Sequence, residues 1–369
     1  MPQSSKSGHP YVGLPDRQFW KRMGGDPGTG LFDPVSEVKF RIRQDEKIVT
    51  AGSCFAQHVA RYLTNKGFNH HITENAHPLV PPRVATAHNY GMFSARYGNI
   101  YTARQLVQLL DRAYGRFVPI EGAWRSTDGK SLVDPFRPQI QPGGYLDLND
   151  LEADRMQHLA AVRQAVEEMD VFVFTLGLTE AWTDKRDGSA YPLAPGVAGG
   201  AFDPEKHAFR NFDEVETTAD LTKAFEFIRE INPRVRFIVT VSPVPLNATF
   251  EERNCWVSTT YSKAVLRIAA EKVCNSFEAC QYFPSYEIIT SPKIRARYYA
   301  PDGREVLEKG VRHVMQILAR HFFEDAPDAR GQGAGPAAVK TQPDAAQSHL
   351  ETMEDLIEVL CDEAAIDNE

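Results

Sequence analysis

Four short, almost continuous apolar runs punctuate the chain: KIVTAGS (47–53), DVFVFTLG (170–177), RFIVTVSP (236–243) and CQYFPSY (280–286). Each is too short for a buried helix, is rich in β-branched or aromatic residues, and gives way to turn residues or a helical pattern. Each therefore reads as a buried strand. Between them, apolar positions recur at helical spacing over 54–66, 102–114, 152–169, 219–231 and 257–274, which predicts helices.

Strands alternating with helices predict an α/β fold with a parallel sheet covered by helices on both faces. Ligands in such sheets sit beyond the carboxyl ends of the strands, so the chemistry is expected in AGSCFA, TLGLTEAW, TVSPVPL and YFPSYEI. Residues 118–150 and 183–213 carry Gly, Pro, Asp and aromatics without period and read as long loops over that edge. Residues 325–348 are rich in Ala, Gly, Pro and Gln and read as a disordered linker after a domain spanning 1–324. Beyond it, Leu350, Met353, Leu356, Ile357 and Leu360 space an acidic amphipathic helix or tail over 349–369, which either docks on the body or on a protein partner or is a solvated tail.

The net charge of −8 is carried entirely by residues 349–369, which hold eight acids and no Lys or Arg. The body thus has no basic bias, and nucleic acid is not expected as a partner. No apolar run approaches the length of a membrane span, and the amino terminus lacks a signal-peptide core, so a cytoplasmic location is expected. The five cysteines form an odd set without CxxC spacing, which disfavours a disulfide framework or structural zinc. No metal constellation or phosphate loop is present, and no cofactor is expected.

In AGSCFA, Gly52 permits a sharp turn and Ser53 falls where strand becomes helix, with helix N–H groups beside it. That placement suits a nucleophile whose attack creates an oxyanion, or equally a helix N-cap. Cys54 is one step further, either a thiolate poised by the helix dipole or a buried core thiol. In TTYSKAVLR, Ser262 and Lys263 stand side by side, but Val257, Tyr261, Val265 and Ile268 mark a helix whose lysine is expected in solvent. Ser242 and Pro243 read as turn formers, Asn247 as a possible ligand contact, and Glu287 as a carboxylate that either orients a base or substrate or is structural.

The stretches AGSCFAQHVARYL, NYGMFSARYGNIYTARQL, VFVFTLGLTEAW, TVSPVPL with TTYSKAVLR, and YFPSYEI resemble the GSCFA-domain proteins. The resemblance runs from about His9 to Phe323 and groups the chain with SGNH or GDSL-like hydrolases. It implies a flavodoxin-like, three-layer sheet, and ester hydrolysis or O-acyl transfer on an acylated carbohydrate or similar small ester. It further implies Ser53 as nucleophile, and Gly98 as a backbone oxyanion donor with Asn99 beside it. The third block is normally Gly-x-Asn-Asp; here Gly177, Thr179 and Glu180 stand in GLTE. The fifth is normally Asp-x-x-His; here Asp302 is followed by Glu305, and the next histidine is His313, well inside the last helix. The base is thus open among His313, Asp302, Glu305, His77 and His88. A non-catalytic glycan- or protein-binding module that has lost the fifth-block histidine is the rival reading, and a Cys54 thiol enzyme a third.

Overall fold

A computed structural model of the chain describes residues 9–24, 32–294, 298–324 and 362–367. The elements run β1 (Ile48–Gly52), α1 (Ala56–Asn65), α2 (Pro82–Ala87), α3 (Ala103–Ala113), β2 (Trp124–Arg125), β3 (Leu132–Val133), α4 (Leu148–Glu168), β4 (Val171–Leu176), β5 (Glu180–Asp184), β6 (Ala190–Tyr191), β7 (His207–Asn211), α5 (Glu214–Ile231), β8 (Arg236–Val241), α6 (Cys255–Ser276), β9 (Cys280–Phe283), α7 (Ser285–Thr290) and α8 (Glu308–Phe322).

All four apolar runs join one parallel sheet in the order β1-β4-β8-β9. Its registers align the carboxyl ends: Gly52 lies opposite Thr175, and Thr175 opposite Thr240. Outside β1, a single parallel bridge joins Ile48 to His70. One bridging residue takes the position that a second strand fills in a complete flavodoxin-like order.

Alternation along the strands assigns the two faces. Phe172, Phe174, Leu176, Phe237 and Val239 pack with apolar residues of α3, α4, α5 and α6. Val171, Val173 and Ile238 pack with α1, α7 and α8. The fold is therefore the expected three-layer α/β class. Burying each such side chain contributes on the order of 2 kcal/mol. Four of the helices begin where a side chain satisfies one of their first N–H groups: Thr102 with Gln105, and Asp213 with Glu216, form reciprocal capping boxes at α3 and α5, and Asp147 and Asn254 cap α4 and α6.

The segments read as loops contain small sheets: β2 pairs with β3, and β5 pairs with both β6 and β7, all antiparallel. Two-residue strands leave no period to read, and β7 owes its place to Trp182, which packs against Phe209 across the pair. Residues 325–361, which hold the expected linker and most of the acidic helix, lie outside the described residues. Residues 362–367 form a short 3-10 helix. Among the described residues, no helix is long and apolar enough to cross a membrane.

Candidate active site

Gly52 closes β1 with φ of 130°, and a Cβ there would lie 2.2 Å from the Thr175 carbonyl oxygen. Only glycine permits both that φ and that approach. The chain then turns: the Ser53 N–H donates to the Thr175 oxygen at 3.0 Å, and the Ser53 carbonyl accepts from Ala56 at 2.8 Å. The helix starts at Ala56 rather than Cys54, and its N-cap is Phe55, which makes no side-chain cap. The N-cap reading of Ser53 thus fails. Its Oγ is buried and has no hydrogen-bond partner among the described residues, and its N–H is spent on the sheet, so that N–H does not serve the oxyanion. A buried hydroxyl without a partner is costly, and such groups concentrate at functional sites.

The second block lies against this turn. The Ile100 N–H donates to the Gly52 oxygen at 2.8 Å, holding Gly98 and Asn99 at the end of β1. Gly98 is in the left-handed region, with φ of 69° and open space where a Cβ would stand. Gln57, one step into α1, donates to the Asn99 Oδ1 at 3.1 Å. That bond orients the amide, so the Asn99 Nδ2 faces the site, where it donates to an Asp362 carboxylate oxygen at 2.8 Å.

A buried ionic cluster anchors the strap that carries these two residues. The Arg96 N–H donates to Glu74 at 2.7 Å, its guanidinium meets Asp154 at 2.8 Å, and Arg137 holds both Asp154 and the Arg96 carbonyl. Burial alone would raise the Asp134 pKa, but the Arg137, Arg155 and Arg112 charges hold it far below the carboxylate range.

Gly177 follows β4 and lies against Ser53: a Cβ there would come 2.8 Å from the Ser53 Cβ. Its carbonyl accepts from the Lys263 Nζ at 2.8 Å. Lys263 is only 2% exposed, contrary to the solvent position expected for it. Of the four residues that mark the helical phase, Val265 is buried but Val257, Tyr261 and Ile268 are exposed, so the expected face is largely the outer one. The buried stripe of α6 is Thr259, Ser262, Lys263, Leu266, Ala270 and Val273. Small hydroxyls within that stripe disguised it.

Other candidates fall elsewhere. The Thr179 hydroxyl donates to Asn211 Oδ1 at 2.7 Å, which spends its one proton. Glu180 opens β5 and accepts from Thr249 and the Phe250 N–H; burial raises its pKa. Glu287 pairs with Arg267 and the Tyr282 hydroxyl, a structural arrangement. Cys54 is a buried thiol, as the blander reading has it.

The fifth block is corrected outright. The Asp302 carboxylate accepts from the N–H groups of Arg304 and Glu305 and so shapes an exposed turn. The His313 Nε2–H donates to the Phe32 carbonyl at 2.9 Å, leaving Nδ1 to accept from the Tyr298 hydroxyl at 2.8 Å. With both nitrogens occupied in the core, His313 is a packing residue and not the base. His77 accepts from the Leu79 N–H in an exposed turn, and His88 bonds Gln141.

The structure brings in residues that the sequence did not point to. The Asp362 carboxylate also accepts from the Tyr101 hydroxyl at 3.3 Å, and Glu363 pairs with Arg304 at 2.8 Å. The Glu363 main-chain carbonyl accepts from the Asn247 Nδ2 at 3.0 Å, so Asn247 ties the C-terminal segment to the loop after β8. Elsewhere, Glu121, Asp184 and His207 converge as a cation site would. Arg186 already bridges the two carboxylates, and the Asp203 N–H donates to the His207 Nδ1, leaving Nε2 protonated. This donor set is an ion-pair cluster that does not fit a metal.

Comparison with curated proteins gives no match. Among solved structures, the chain is similar to a family 3 carbohydrate esterase of Clostridium thermocellum, with 12% identity over 75% of this chain and 94% of that one and a TM-score of 0.31. It is also similar to a Streptococcus pneumonia protein provisionally described as a platelet activating factor, with 13% identity over 46% and 65% and a TM-score of 0.26. Residues 47–317, from the start of β1 into α8 and so including the Ser53 turn, the Asn99 strap and the β4 and β8 ends, match the profile of the GSCFA family. The chain belongs to the GSCFA family.

Proposed function

We propose that the protein is a serine-dependent acyl-transfer enzyme, an esterase or O-acyltransferase acting on an acylated carbohydrate or a similar small ester. The observation that carries this reading is the Ser53 Oγ: buried at the carboxyl edge of β1, without a hydrogen-bond partner among the described residues, beside a strap that offers donors. Ser53 attacks the acyl carbonyl, and the Gly98 N–H, the Asn99 amide and the Cys54 N–H in the turn before α1 hold the developing oxyanion. Gly98 supports the assignment because its N–H makes no bond to any described residue.

Fluorophosphonate should label the purified protein on Ser53, and Ser53→Ala should abolish both labelling and turnover of acetyl esters. No adduct on Ser53, with acetyl esters untouched, would overturn the proposal.

The enclosure of His313 in the core favours one alternative, a glycan- or protein-binding module that keeps the pocket without chemistry. Calorimetry against a glycan panel separates the two: binding without turnover supports the module, and hydrolysis that Ser53→Ala abolishes removes it.

A further inference from the structure

Lys263 projects from α6 into the carboxyl edge of the sheet, where its Nζ reaches the carbonyl of the glycine that lies against Ser53. An ammonium has three N–H groups to satisfy, and leaving them unpaired in the interior is expensive. Among the described residues, Lys263 has one hydrogen-bond partner, the Gly177 oxygen. A neutral amine fits this setting better: one N–H to Gly177, and a lone pair for a hydroxyl nearby. Two hydroxyls come into question. Ser262 is adjacent in sequence, but consecutive helical residues point about 100° apart and do not face each other. Ser53 lies against Gly177, whose carbonyl holds Nζ; among the described residues its Oγ has no partner, Nζ included, and the same is true of the Ser262 Oγ, so it is the shared packing on Gly177 that selects Ser53.

Resting on Ser53 as the nucleophile, we infer that Lys263 is the proton acceptor of the reaction, forming a Ser–Lys pair assembled from β1 and α6. As the Ser53 Oγ bonds to the acyl carbon, its O–H bond breaks and the proton passes to Nζ. The resulting ammonium returns that proton to the departing alkoxide. In the second half, the water or acceptor hydroxyl that attacks the acyl enzyme gives its proton to Nζ, and the proton passes back to the Ser53 Oγ as it leaves. No oxidant, metal or further reactant enters.

The electrostatic setting agrees. Burial lowers the Lys263 pKa to about 8, against the opposing influence of Glu363 and Cys54, with Arg304 adding to the depression. The groups facing it are the Cys54 thiol from the turn after β1, Arg304 from the loop before α8, and Glu363 from the C-terminal segment. On α6 itself, Arg267 one turn on is taken up by Glu271 and Glu287.

The test is the rate of fluorophosphonate labelling of Ser53 in the full chain across pH 6–10. In wild type the rate should rise with a midpoint near 8. Lys263→Met should slow it by about 10²- to 10⁴-fold, the range for loss of a general base, and should remove the midpoint. Lys263→Ala should regain labelling when methylamine is added, which a merely structural lysine would not show. In wild-type protein, the Lys263 Cε resonance should titrate near pH 8, a measurement independent of whether the variants fold. A Lys263→Met protein that labels at the wild-type rate with an unchanged midpoint, or a Cε titration near the ordinary value, overturns Lys263 and leaves Ser53 standing. Ester turnover undiminished in Ser53→Ala overturns the nucleophile and the pair together.

Discussion

At the scale of single residues, the site rests on side chains whose orientation is set by a neighbour. Asn99 can present its Nδ2 because Gln57 donates to its other end. Removing one preorganised oxyanion donor typically costs about 10²-fold or more in turnover. Asn99→Ala is therefore expected to lower kcat on an acetyl ester by about that factor with little change in KM. Gln57→Leu, which keeps the donor but frees its orientation, should fall between Asn99→Ala and wild type. Equal rates in all three proteins would remove Asn99 from the oxyanion assignment. Ser53, Gly98 and Asn99 were legible as candidates from residue type and place in their motifs. That the Thr179 proton is spent on Asn211, and that both His313 nitrogens are occupied, was not legible, because their partners lie 32 and 281 residues away in the chain.

At the scale of elements, the β1–α1 turn and the end of β4 are packed too closely for side chains to intrude. Gly52→Ala would set a Cβ against the Thr175 backbone and force a disfavoured φ. Its cost should be about 3 kcal/mol or more, as for overpacking that backbone must absorb. Gly98 has nearly the same need for positive φ but open space around it, so Gly98→Ala should cost only about 1 kcal/mol. Urea unfolding of the two variants checks the contrast, and equal losses would contradict it. The elements that apolar runs announce, β1, β4, β8, β9 and their helices, were readable in advance. The phase of α6 was not, since its buried stripe contains Thr259, Ser262 and Lys263. A buried lysine breaks the amphipathic pattern that sequence reading depends on, and here the break coincides with the site.

At the scale of the whole molecule, the last described segment returns to the sheet edge. Asp362 holds the Asn99 amide and Glu363 holds Arg304, so in the proposed reaction an oxyanion would have to displace Asp362 to reach Asn99. Asp362→Ala in the full chain is expected to raise the rate of Ser53 labelling several-fold, and a rate at or below wild type would sink that expectation.

Acid sensitivity is also a property of the whole. Burial pushes His58, His70 and His158 down to about 4, assisted by Arg61, His71 and Arg137 respectively. The folded state keeps these rings neutral, while the unfolded chain protonates them near 6.5. Their contribution to stability is complete above that value and is lost as pH falls toward 4, each by up to about 1.4 kcal/mol per pH unit. The melting temperature should therefore decline between pH 6.5 and 4.5, ahead of Asp134, whose depressed pKa keeps its ion pairs intact to lower pH. A melting temperature unchanged from pH 7 to 5 would refute this.

The sequence by itself determined the parallel sheet, its strand membership and the serine at the end of β1. Those follow from local signals: apolar runs of strand length, helical spacing between them, and a glycine that only a strained turn requires. Tertiary structure alone decided what surrounds that serine. Gly177 packs against it from another strand, Lys263 holds the Gly177 carbonyl from a helix 210 positions along the chain from Ser53, and Asp362 and Glu363 hold Asn99 and Arg304 nearby. No local pattern encodes such meetings, because the free energy that places a lysine on the glycine beside a serine belongs to the packing of the sheet and its helices and not to the sequence on either side of each residue.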